Sequence, residues 1–124
     1  MHNFEYHKPS SVDEAVKALG AGEDPTLVAG GMTLIPTLKQ RLADCAAVVD
    51  LSGIAEMSGI SLEGDMLVIG AMTRHAEVAG SDVVMKAIPA LAKLAARIGD
   101  QQVRHRGTIG GSVANNDPAA DYPS

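Results

Sequence analysis

The sequence predicts an α+β fold: a small N-terminal α/β unit with parallel strands, then a region built on an antiparallel pair. Three observations carry this expectation. Apolar runs and helical patterns alternate from Phe4 to Leu51, and two further apolar runs flank the tight turn Gly64-Asp65. Two glycine pairs, Gly30-Gly31 and Gly110-Gly111, each follow an apolar run and precede a hydroxyl or amide side chain. Alternating strands and helices favour parallel strands joined by crossovers, and a two-residue Gly-Asp turn favours a hairpin.

Phe4-Glu5-Tyr6-His7 alternates and is soon followed by Pro9, which suits an edge strand. Ser11-Val12-Asp13-Glu14 has the form of a capping box, and the helix it opens should run to about Leu19. Ala15, Val16 and Leu19 would form the buried face, with Gly20 as the stop. Thr26-Leu27-Val28-Ala29 reads as a short strand, Gly30-Gly31 as a turn, and Thr33 as the cap of a second helix reaching about Leu42. Pro36 is tolerable only in that helix's first turn. Residues 46–51 form a buried strand ended by Asp50, Ser52 and Gly53. A boundary near Gly53 divides the chain into an N-terminal α/β part, 1–53, and an incomplete second part, 54–124. Beyond the hairpin, Thr73 should cap a helix ending at Gly80, and Ser81 or Asp82 should start another. Pro89 should open one to about Ile98, with Ala92, Leu94, Ala95 and Ile98 on its apolar face, ended by Gly99-Asp100. Residues 104–107 read as a polar connector. Asp117-Pro118-Ala119-Ala120-Asp121 reads as the opening turn of a helix. The chain stops soon after, as a partial chain would.

Composition narrows the function. The 124 residues suffice for one domain. The net charge is −5, and Arg104-His105-Arg106 is the only basic cluster, so a cationic nucleic-acid footprint is absent. With no Trp, one Phe and two Tyr, aromatic platforms do not hold the ligand. The single cysteine, Cys45, lies in an apolar stretch and reads as a small buried hydrophobe. It excludes an internal disulfide, a zinc ribbon or an iron–sulfur cluster held by this chain alone. His2, His7, His75 and His105 lack metal-ligand spacing. The N-terminus lacks the apolar core of a signal peptide, and no stretch is long enough to span a membrane. A soluble protein of a reducing compartment, the cytoplasm, is expected.

The two glycine segments carry the chemistry. In the first, a strand hands over to a helix at Ala29-Gly30-Gly31-Met32-Thr33-Leu34. The first N–H groups of a helix lack internal partners, and glycines let backbone close on a phosphate. The pattern is neither the dinucleotide fingerprint G-x-G-x-x-G nor the P-loop. Taken alone, it reads better as an ordinary turn capped by Thr33. The second, Thr108-Ile109-Gly110-Gly111-Ser112-Val113-Ala114-Asn115, offers consecutive N–H donors and the Asn115 amide. Asp121 adds an acceptor for hydroxyl groups. That mix suits a phosphate joined to a polyol. The alternative is a glycine-rich strand with a helix cap at Asp117. Arg104 and Arg106 could steer an anion or simply be solvated, and His105 reads as structural or exposed. No nucleophile with an activating base is evident.

Six segments carry a resemblance: Phe4-Glu5-Tyr6 with Pro9 and the Glu14-Ala15 helix start, Ala29-Gly30-Gly31-Met32-Thr33-Leu34, Val48-Val49-Asp50-Leu51, Ile69-Gly70-Ala71-Met72-Thr73, Arg104-His105-Arg106-Gly107-Thr108-Ile109-Gly110-Gly111-Ser112 and Asp117-Pro118-Ala119-Ala120-Asp121. In this order they resemble the FAD-binding medium subunit of molybdenum hydroxylases. That group includes the flavoprotein subunits of aerobic carbon monoxide dehydrogenases and the flavin domain of xanthine dehydrogenases. The resemblance implies a PCMH-type FAD-binding fold, with a small α/β subdomain and part of a larger one holding an antiparallel sheet. It implies that Ala29, Gly30, Gly31, Met32 and Thr33, with Thr108, Ile109, Gly110, Gly111 and Ser112, wrap the pyrophosphate and ribityl chain of FAD. Leu34, Asn115, Asp121 and Ala71 match further flavin-contacting positions. Met32 stands where the family more often has a polar residue, and His105 where Asn is commoner.

The implied role is electron transfer. Electrons would pass from a large molybdopterin subunit, through 2Fe-2S clusters on a small subunit, to FAD here, and on to NAD, oxygen or a quinone. An oxidoreductase subunit active only in complex is the leading reading. A non-catalytic fragment or interaction module that keeps the fold without FAD is the alternative, and a stand-alone flavin oxidase is a third.

Overall fold

The structure is a computed structural model and describes residues 1–123. The chain divides into two compact units, Met1–Glu56 and one beginning at Met57.

In the first unit, strands β1 (Glu5–His7), β2 (Pro25–Val28) and β3 (Ala47–Asp50) form a parallel sheet in the order β1-β3-β2. The central place of β3 explains its composition. Ala47, Val48 and Val49 are all buried, because a parallel strand paired on both edges has little polar alternation. Helix α1 (Val12–Ala21) follows β1, and α2 (Leu34–Lys39) joins β2 to β3. Val28, Leu38, Cys45 and Val48 make the core, with Phe4, Leu34 and Ile35 packed against it. Cys45 is thus the small buried hydrophobe the sequence predicts, and burial, with Asp44 and Asp24 nearby, pushes its thiol pKa up.

Three local expectations here are corrected. Ser11 does cap α1, accepting from the Glu14 N–H at 3.2 Å, but the Glu14 carboxylate reaches past it to the N–H and hydroxyl of Ser10. Helix α1 runs through Gly20 and ends at a Gly22 cap, since one internal glycine weakens a helix without breaking it. Val16 is 60% exposed; Ala15 faces inward, with Ala18 and Leu19 half-buried.

The second unit opens with the antiparallel hairpin β4 (Ile60–Glu63) and β5 (Met66–Ile69). Gly64 at φ +60° supplies the left-handed first turn residue of this hairpin. Five short helices follow: α3 (His75–Gly80), α4 (Asp82–Ala87), α5 (Pro89–Ala95), α6 (Gln101–Arg104) and α7 (Ile109–Asn115). Val78, Val84, Ala92 and Ala95 are fully or almost fully buried and form the core, covered by Ile60, Leu67, Ile69, Leu91 and Tyr122. Burying each valine contributes about 1.5–3 kcal/mol. Ser81 caps α4 through the Val84 N–H, and Pro89 opens α5 as expected.

Other expectations fail in this unit. Thr73 caps nothing. Its buried hydroxyl bonds the N–H and carbonyl of Gly59 at 3.0 and 3.1 Å. Helix α6 occupies part of what reads as a connector, capped by Asp100 on the Val103 N–H. Among the described residues, no helix is long and apolar enough to cross a membrane.

Candidate functional site

The first glycine segment links the end of β2 at Val28 to the start of α2 at Leu34. Gly31 has φ +73°, a left-handed conformation that reverses the chain at low cost only for glycine. Its carbonyl accepts from the Ile35 N–H at 3.0 Å, and the Thr33 carbonyl accepts from both the N–H and the hydroxyl of Thr37. Thr33 does not cap α2. Its φ of −101° and ψ of −48° are helical, not the extended geometry a cap needs, and its hydroxyl makes no capping bond. The N–H groups of residues 30–34 have no hydrogen-bond partner among the described residues. Met32 is 39% exposed, whereas Leu34 packs on the core cluster and anchors the segment. This segment therefore presents a hydroxyl and successive unpartnered N–H donors beside a left-handed glycine, the chemistry of an anion nest.

The second segment is built differently. Residues 107–110 run antiparallel to residues 71–75, with Arg74 bridged to Thr108. The His75 N–H donates to the Gly107 carbonyl at 3.0 Å, the Ile109 N–H to Thr73 at 3.0 Å, and the Gly110 N–H to Ala71 at 2.8 Å. Thr108 then caps α7: its hydroxyl accepts from the Gly111 N–H at 3.1 Å and its carbonyl from the Ser112 N–H at 3.1 Å. The expected row of free donors is therefore corrected. All four N–H groups from Ile109 to Ser112 are engaged within the protein. The alternative of a glycine-rich strand is corrected too, since Gly110 and Gly111 lie in the first turn of a helix.

Gly110 has a packing reason. A Cβ there would stand 2.6 Å from the Ala71 carbonyl oxygen and 2.8 Å from its Cα, so only glycine allows this approach. The structure thus brings Ala71 to the second glycine segment. What the segment leaves for a ligand is side chains: the half-buried Ser112 hydroxyl and the exposed Asn115 amide. Asn116, left-handed at φ 49°, ends α7. No helix opens at Asp117. Its carboxylate accepts from the Ala119 N–H at 2.9 Å in a local turn, and Asp121 is exposed two residues further on.

The basic cluster divides. Arg104 Nη1 donates to the carbonyls of Ile98 and Gly99, so it ties down the end of the preceding helical region. His105 Nδ1 lies 2.7 Å from the Gln101 carbonyl and has the structural role expected of it. Sequence reasoning missed His75. It is buried, 5% exposed, and its Nδ1 is 2.8 Å from the Tyr122 hydroxyl. Nothing in the spacing of these residues announces the pair. Among the described residues, no cluster of His, Cys, Asp and Glu could hold a metal ion.

Residues 2–124 match the model of the FAD binding domain in molybdopterin dehydrogenase. The chain belongs to this family. It is 47% identical over 122 residues to the carbon monoxide dehydrogenase medium chain of Hydrogenophaga pseudoflava, covering 98% of this chain and 42% of that one. It is 44% identical to the corresponding medium chain of Afipia carboxidovorans, covering 43% of it. Among solved structures, carbon monoxide dehydrogenase from Hydrogenophaga pseudoflava superposes with a TM-score of 0.95 at 47% identity, covering 98% of this chain and 43% of that one. Quinoline 2-oxidoreductase from Pseudomonas putida 86 superposes with a TM-score of 0.94 at 37% identity. The chain therefore spans less than half the length of the relatives it matches.

For a member of this FAD-binding family, the residues present fit a flavin nucleotide in part. The donors of the first segment suit the diphosphate. In the second segment the hydroxyl of Ser112 and the amide of Asn115 suit the sugar-like chain, while its N–H groups are not available.

Proposed function

We propose that the chain is the FAD-binding portion of an electron-transfer subunit of a molybdenum hydroxylase. The carrying observation is the run of unpartnered N–H groups over residues 30–34 around left-handed Gly31. In this reading Gly30, Gly31, Met32 and Thr33 bind the diphosphate by backbone N–H groups, and the Thr33 hydroxyl adds a donor. Ala29 and Leu34 set the ends of the turn. Ser112 and Asn115 bind ribityl hydroxyls, and Asp121 accepts from a hydroxyl of the nucleotide. Thr108, Ile109, Gly110, Gly111 and Ala71 shape the backbone that carries those side chains.

Bound flavin supplies a centre that takes up electrons and passes them on. The donors would be 2Fe-2S clusters on a small partner subunit, fed by a molybdopterin centre on a large one. That its relatives are medium chains of carbon monoxide dehydrogenase supports such an assembly.

The test is a titration of the complete subunit with FAD and with riboflavin, followed by flavin fluorescence and backbone amide shifts. FAD should bind more tightly than riboflavin by at least about tenfold, because charge-assisted N–H bonds to the diphosphate are lost in riboflavin. Amide shifts should concentrate at residues 30–34. Equal binding of both ligands, or an active complex purified free of flavin, would overturn the proposal. Failure to bind FAD in any form would favour the alternative, a module that keeps the fold without the cofactor.

A further inference from the structure

One buried imidazole touches residues next to two of the second unit's stretches that carry candidate flavin residues. The His75 backbone N–H donates to the Gly107 carbonyl at 3.0 Å. Its ring edge lies against Gly107 so closely that a Cβ there would stand 2.8 Å from both Cδ2 and Nε2. Gly107 leads directly into the Thr108 cap of α7, hence to Ser112 and Asn115. On the other edge, Nδ1 is 2.8 Å from the Tyr122 hydroxyl, with ring centroids 5.4 Å apart. Tyr122 packs on the core of Val78, Val84, Ala92 and Ala95. Segment 117–123 has no helix or strand of its own; besides the Tyr122 contacts, it holds local turn bonds at Asp117.

We propose that His75 is a positioning residue for the flavin site: through Tyr122 it holds segment 117–123, and with it Asp121, on the second unit, while through Gly107 it fixes the approach to the Thr108 cap. The inference rests on the flavin reading above and names what orders its least regular part. The protonation states suit the role. Burial and Asp121 push the Tyr122 pKa up to about 12, so the hydroxyl keeps its proton at any working pH. Burial pushes the His75 pKa down, partly offset by Asp121, so the ring is neutral and either tautomer can share a proton with that hydroxyl.

The experiment compares the complete subunit with its Tyr122→Phe and His75→Asn variants. Phe keeps the ring in the core and removes only the hydroxyl. Asn keeps a polar atom near the Nδ1 position. Amide exchange is read at Ala119 and Ala120, whose N–H groups bond Asp117, and at Val78 and Val84 as core controls. Flavin affinity is read by fluorescence. Tyr122→Phe should speed exchange at Ala119 and Ala120, and weaken FAD binding, each by about three- to tenfold, the worth of one hydrogen bond. The core controls should not move, and His75→Asn should lie nearer wild type than Tyr122→Phe. Unchanged exchange in Tyr122→Phe overturns the proposal. Faster exchange with unchanged FAD affinity also overturns it, because the segment's order is then not used by the flavin. If the wild-type subunit binds no FAD, the flavin reading itself has failed, and the positioning role fails with it even where exchange responds.

Discussion

The two glycine segments look alike in sequence and differ in construction. Around Gly31 the backbone donors of residues 30–34 are unpartnered, and the nearby Thr33 hydroxyl is not used as a cap. Around Gly110 every donor from Ile109 to Ser112 is engaged, and the Thr108 hydroxyl is used as a cap. In one place glycine serves a left-handed backbone open to an anion. In the other it serves close packing of two chain segments. A glycine pair before a hydroxyl residue therefore has two physical meanings, and only the destination of the N–H groups separates them.

The sharpest way to break this comparison is a methyl group. Gly110→Ala should destabilise the second unit by about 2–3 kcal/mol, because the new Cβ meets Ala71 backbone rather than a flexible side chain. Denaturant unfolding of the variant measures it. Gly31→Ala meets chiefly the movable Ile35 side chain, and its cost of about 1–2 kcal/mol comes from the left-handed φ. Equal losses would erase the distinction between packing and conformation.

The threonines give the next contrast. Thr108→Val removes a buried cap from α7 and should cost about 1–2 kcal/mol. Thr33→Val removes an exposed hydroxyl that caps nothing and should change stability by less than about 0.5 kcal/mol, while weakening FAD binding. Thermal unfolding with a parallel flavin titration checks both. A Thr33→Val variant as unstable as Thr108→Val would restore the cap that the structure denies it.

These contrasts also show what the sequence could reveal. The parallel sheet was legible because the buried run of β3 and the Ser11 cap are local signals. The Gly64-Asp65 hairpin was legible for the same reason. The bonds that occupy the second segment were not. Two of the four, those of Ile109 and Gly110, go to the carbonyls of Thr73 and Ala71, far earlier in the chain, and no local pattern reports them. Thr73 misled in the same way: a threonine before a helix looks like a cap, yet its hydroxyl goes to Gly59. The four-residue α6 was invisible because one polar turn has no periodicity to detect. The glycine motifs marked two candidate segments, and only tertiary bonding showed that they offer different chemistry.

A smaller effect of opposite sign isolates the conformational cost of Gly31→Ala. Gly20 lies inside α1 with nothing within 4 Å of where its Cβ would be. Gly20→Ala should stabilise the first unit by about 0.5–1 kcal/mol through helix propensity alone. Loss of stability at both positions would mean that φ is not what separates them.

The last contrast is in pH, and it distinguishes the units. In the second, burial leaves His75 with a pKa below its ordinary 6.5, and the Asp121 carboxylate offsets this only in part. Between the folded value and 6.5 the unfolded chain binds more protons, so stability rises with pH across that window and falls as the pH drops below about 6.5. In the first unit, burial raises the Asp50 pKa, but hydrogen bonds from the Tyr6 hydroxyl at 2.5 Å and from Ser52 outweigh it and leave the carboxyl below its ordinary 3.8. Its contribution is therefore complete above about pH 5 and fades as the pH falls through 3.8 and below. Unfolding followed separately in each unit from pH 7.5 to pH 3 should show the second unit weakening first. His75→Asn should flatten the upper step and leave the lower one in place. An upper step that persists in His75→Asn would assign the proton to another group.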